Sequence, residues 1–121
     1  MLRRLLASVR SGVVKTFRYP LHVNQSDAKL LVETNWHAGV ERYLRCAASI
    51  DDSQTEEYPW GFVFVFLPSP KADPIPYRAR VSVAVSHNGH VTVVGKKGVW
   101  GALRHLAIAQ TEENLTPLSN R

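Results

Sequence analysis

The chain has 121 residues, a single cysteine and a formal charge of +5, with 45% hydrophobic residues. That length fits one domain with a modest core, the lone Cys46 excludes an internal disulfide, and no apolar run is long enough to cross a bilayer. The charge is lopsided: five of the 15 basic residues (Arg3, Arg4, Arg10, Lys15, Arg18) precede the first acid, Asp27, and the remaining ten balance the ten acids. A pI near 9.7 therefore describes the leader more than the body of the protein.

Residues 1–18 (MLRRLLASVRSGVVKTFR) combine Arg, Ser and bulky apolar residues without an acid. This is the composition of a mitochondrial targeting segment, and it predicts a protein of the mitochondrial matrix. The competing reading is a basic arm that stays on the protein and grips RNA or anionic lipid.

Residues 19–114 are expected to form one domain. Pro20 favours an extended entry, and Ser26 with Asp27 can cap the helix that follows. Ala28, Val32, Trp36, Val40, Tyr43, Ala47 and Ile50 recur at three- and four-residue steps. They make one helical stripe of about seven turns or two helices broken near Gly39. Asp51 to Glu57 reads as an acidic loop. Trp60 to Leu67 (WGFVFVFL) is apolar at nearly every position and predicts a central strand. Pro68 to Pro76 holds four prolines and cannot continue a ladder.

Tyr77 to Ser86 alternates apolar and polar residues with period two, as a half-buried antiparallel strand does. Asn88-Gly89 tolerates positive φ and predicts a hairpin, with His90 to Val94 as the returning strand. Gly95 opens a predicted helix over Lys96 to Gln110, in which Val99, Leu103 and Leu106 fall at helical spacing. Residues 115–121 are expected to be a flexible tail. The order is α-β-β-β-α: an α+β fold with a three-stranded antiparallel sheet and two helices packed on one face.

His87 and His90 flank the turn and Cys46 is remote; with no second close pair to join them, no metal site is expected. No Gly-rich phosphate loop or nucleophile motif accompanies the carboxylates, so no enzyme and no cofactor is expected. Glu33 and Glu41 read as solvated helix residues. Trp60 and Trp100 read as core or interface residues, with Trp100 at the margin of the buried helix face and available to a protein partner.

Over residues 77–110 the chain resembles the double-stranded RNA-binding domain. The resemblance rests on YRARVSVAV, the His87–His90 turn, VTVV, Gly95, Lys96-Lys97 and the alanine-bearing segment Ala102 to Ala109. Leu31-x-Glu33 also fits that family's first helix. The resemblance implies contact of Lys96 and Lys97 with the phosphates of structured or double-stranded RNA. It further implies Lys71 as a donor from the proline-rich loop, and Arg104 in place of the family's third lysine, whose position is Trp100 here. Two roles follow as expectations. One is RNA binding within a mitochondrial ribosome or RNA-processing assembly. The other is a structural subunit that keeps the fold without binding RNA, docking on other protein subunits through Trp100 or the sheet edge.

Overall fold

The computed structural model describes residues 23–69 and 80–120. The expected leader and Lys71 lie outside them. The chain is α+β, with an antiparallel sheet between helices near its two ends. The sheet has five strands rather than the three expected.

Two helices come first, α1 (Gln25–Asn35) and α2 (His37–Leu44). Asn24, not Ser26, is the N-cap: its Oδ1 accepts from the Asp27 N–H at 2.8 Å. The break falls at Trp36, which closes α1 and precedes α2, so Gly39 lies inside α2. Asn35 contributes to it, because its Nδ2 donates back to the Leu31 carbonyl and competes with the backbone in the last turn. Arg45 ends α2 in the left-handed region at φ 64°, and the Cys46 N–H then returns to the Glu41 carbonyl.

Ala47 and Ile50 continue no helix. Ala48–Ile50 is a short strand, β1, and Glu56–Tyr58 is another, β2. Both pair with the same side of the long strand β3 (Gly61–Pro68), separated by a 3-10 turn at Asp52–Gln54. On its other side β3 pairs with β4 (Val81–Ser86), and β4 pairs with β5 (Val91–Val94). The hairpin turn is a three-residue loop. The Gly89 N–H donates to the Ser86 carbonyl, the Ser86 N–H donates to the His90 carbonyl, and Gly89 supplies φ 86° at the bulge.

β3 opens on Gly61 because nothing larger fits: a Cβ there would fall inside the Val85 carbonyl of the neighbouring strand.

The two helical ends of the chain pack on opposite faces of the sheet, which corrects the expectation of helices on one face. Phe62, Phe64, Phe66, Val81, Val83 and Val85 point to the α1–α2 side, in one core with Ala28, Leu31, Val32, Val40 and Leu44. Trp60, Val63 and Ala84 point the other way and meet Ala102, Leu103 and Leu106 of the C-terminal segment. A strand that is apolar at successive positions has no face to give to water, so each side needs a cover. Burying side chains such as Phe64 and Phe66 stabilises the fold by roughly 1.5–3 kcal/mol each.

The C-terminal helix, α3, spans Gly98–His105, shorter than the Lys96 to Gln110 expected. It ends where Ala107 takes φ 58° and the Ile108 N–H returns to the Leu103 carbonyl, a cap that usually carries glycine. Beyond α3 come a one-turn helix, α4 (Glu112–Leu115), and a 3-10 turn at Leu118–Asn120. Trp60 Nε1 donates to the Asn114 carbonyl at 2.8 Å, and Leu115 packs on the second core.

Candidate functional site

The sheet has two edges. β1 and β2 form one, and β5 forms the other. Since Ser86 and His90 are a hydrogen-bonded pair, alternation along the ladder makes Ala84–Thr92 and Ser82–Val94 the next bonded pairs. Val91 and Val93 belong to the unbonded pairs, with Val85 and Val83, so their N–H and C=O groups face outward. Among the described residues no strand pairs with that side of β5.

Beside this edge lies a groove of about 650 Å³. Trp36, Gly39, Val40 and Tyr43 form its helical wall, and Val81 and Val93 its sheet floor. It exists because α1 and α2 cover β3 and β4 and stop short of β5. Val83 and Val85 are fully buried, whereas Val93 is 44% exposed. Gly39 keeps the wall low: a Cβ built there meets no atom within 4 Å. Tyr43, 53% exposed, stands at the rim. Such an apolar trough, beside strand groups with no strand partner among the described residues, is the kind of surface that takes up apolar side chains.

The charge around the groove has one sign. Gly95 and Gly98 line its end and bracket Lys96 and Lys97, both exposed. Arg80 also lines it, with its guanidinium reaching away to Gln54 Oε1 at 3.4 Å. Glu41, the acid of α2, is occupied elsewhere. Its Oε2 accepts from the Ala48 N–H at 2.8 Å and lies 3.2 Å from His37 Nε2, so it anchors β1 instead of standing solvated as expected. Glu33 is exposed.

The expected site residues are divided by this architecture. Lys97, Trp100 and Arg104 fall at steps of three and four along the exposed side of α3. Lys97 Nζ sits 5.8 Å from the centre of the Trp100 ring, a cation–π contact that holds the side chain along the helix. Trp100 is 41% exposed, and its carbonyl accepts from Gln110 Nε2. This stripe belongs to the α3 face of the sheet, whereas α1, with Leu31 and Glu33, covers the opposite face. Lys96 and Lys97 thus lie where the stripe and the groove meet.

Besides Lys29, raised by its hydrogen bond to Asp52, two groups are held away from their ordinary titration. Burial pushes the Tyr58 hydroxyl well above the usual phenol range, helped by its hydrogen bond to Glu56 Oε1 at 2.8 Å. Hydrogen bonds from Gln54 and Ser53 lower Asp51, which thereby fixes the turn between β1 and β2. Both lie on the edge remote from the groove. Among the described residues no group of three or more His, Cys, Asp or Glu is placed to hold a metal ion. No helix among them is long and apolar enough to cross a membrane.

The groove itself escaped sequence reading. Its signals were a glycine within a helical stripe and a second hairpin strand with no further strand to pair with. No family model matches the chain, and no curated protein or solved structure matches it.

Proposed function

We propose that this protein is a non-catalytic subunit of a mitochondrial assembly, docking on a protein partner through the groove between α2 and β5. The observation that carries the reading is the groove itself, an apolar trough alongside a strand whose outward main-chain groups have no strand partner among the described residues. Soluble domains normally cover or blunt such an edge, so an open one with apolar residues beside it is a place for another chain. The acid-free, Arg- and Ser-bearing composition of residues 1–18 supports the mitochondrial location.

The test is to fill the groove without touching the core. Gly39→Trp projects into open space. The full chain carrying it should keep its circular dichroism spectrum while sedimenting free of the large complex that retains the wild type. Co-sedimentation of the folded variant with the complex would overturn the reading.

A second reading, contact with structured RNA, draws on Lys96, Lys97 and Arg104, all exposed at or just before α3, a helix that carries no carboxylate. Phosphate contacts of that kind would be salt-sensitive and indifferent to base sequence. Lys96→Ala with Lys97→Ala should then weaken duplex binding and flatten its salt dependence. Unchanged affinity would remove these lysines from any RNA site.

A further inference from the structure

Two features of the β5 edge specify the kind of partner, given the docking reading on which this step rests. The first is main-chain direction. Val91 and Val93 turn their N–H and C=O groups away from β4, and the sheet of the described residues stops there. A folded surface of side chains cannot satisfy such a row, but an extended peptide can, because its own groups repeat at the same spacing. The groove runs beside that row, where every second side chain of an added strand would meet Val93 and Tyr43.

The second feature is charge. Lys96 and Lys97 follow β5 after Gly95 and are exposed, Lys97 lying over the Trp100 ring, and Glu41 is turned toward Ala48. The acids Asp51, Asp52, Glu56 and Glu57 belong to the far edge. Every ladder in the sheet is antiparallel. A strand added in the same sense would bring its amino end to the lysines.

We infer that β5 accepts an added strand: an extended segment of a partner protein, antiparallel to β5. Its alternate apolar side chains lie in the groove, and acidic residues at its amino end face Lys96 and Lys97. A second copy of this chain fits less well, since Asn88, Gly89 and His90 at the amino end of its own β5 include no acid. Duplex RNA offers the negative charge but no apolar side chains for the trough.

The test uses the full chain and an end-blocked peptide of two glutamates followed by alternating valine and threonine. Two controls accompany it: lysines replacing the glutamates, and N-methylation of alternate residues to block pairing. The glutamate peptide should move the Val91 and Val93 amide resonances most and bind about tenfold tighter than the lysine peptide. N-methylation should abolish binding, and Lys96→Glu with Lys97→Glu should reverse the charge preference.

Binding that leaves those two amides unmoved, binding equal for both charges, or no binding would each overturn the added strand. If the peptides move only Trp36 and Tyr43 signals, the groove remains a docking site and only the strand and its acids are lost. If no peptide binds and Gly39→Trp stays in the complex, the docking reading falls too. Displacement of the glutamate peptide by duplex RNA at equal charge, without apolar dependence, would transfer the lysines to RNA and overturn the peptide assignment.

Discussion

Along one edge of the sheet, β1 and β2 are three residues each and are divided by a turn that Asp51 holds through Ser53 and Gln54. Along the other, β5 runs without a bulge or a break and carries Val91 and Val93. The first edge bears Asp51, Asp52, Glu56 and Glu57, and the C-terminal segment folds back toward it through Trp60 and Asn114. The second bears no acid and is followed by two lysines. Interruption, charge and cover are the usual means of preventing edge-to-edge association. Interruption, acidic charge and cover meet at the first edge, and among the described residues none of the three is found at the second. Among the described residues, then, the uninterrupted edge is that of β5, while the other is broken into two short strands and backed by the C-terminal segment.

The largest way to break this comparison is through the strand that both edges depend on. Gly61→Ala would drive a Cβ into the Val85 carbonyl and disturb the start of β3, where it pairs with Tyr58 and Ser86. A loss of roughly 3 kcal/mol is expected in urea unfolding. A loss below about 0.5 kcal/mol would show that the close approach of β3 and β4 is misjudged.

The closed edge has a pH signature. The Tyr58 phenol is held above its ordinary value in the folded chain. Below an unfolded value of about 10 both states keep the proton and nothing is lost. Above it the unfolded chain releases the proton first, so stability falls as pH rises, by up to about 1.4 kcal/mol per pH unit for this one group. Tyr58→Phe should remove that component of the alkaline slope. Equal slopes in wild type and variant would mean that Tyr58 is not buried against Glu56.

On the open edge, Gly39→Ala should stabilise the chain by roughly 0.5–1 kcal/mol, because alanine favours the helix and meets no neighbour. Destabilisation would show the groove wall to be filled. The smallest effect belongs to Val93→Lys. At 44% exposure its folding free energy should stay within about 0.5 kcal/mol of wild type. The same substitution at Val83, which is fully buried, would instead place an unpaired charge in the core. Similar losses at the two positions would erase the distinction between covered and uncovered sheet.

Much of this fold was legible in the sequence where pattern and burial agree. Trp60 to Leu67 announced a central strand, the Asn88-Gly89 turn announced the hairpin, and Leu103 with Leu106 announced the packed side of α3. The same apolar run also carried the two-faced packing, since Val63 cannot share a face with Phe62 and Phe64. What could not be read had no distinctive chemistry. β1 and β2 are too short for a period, and Glu56-Glu57 reads as loop because an edge strand tolerates charge. The break at Trp36 rather than Gly39, and the left-handed end at Ala107, follow from side-chain competition and tertiary packing instead of local preference. Of the candidate site, Lys96, Lys97 and Trp100 were visible as exposed residues around a helix start. The groove was not, because it is defined by where α1 and α2 stop.

The open edge is read most directly by amide hydrogen exchange along β5 of the 121-residue chain free of partners. The account predicts that Thr92 and Val94, bonded to Ala84 and Ser82, are protected, while Val91 and Val93 exchange much faster. Equal protection of all four would contradict it, because the edge would then already have a partner within the chain.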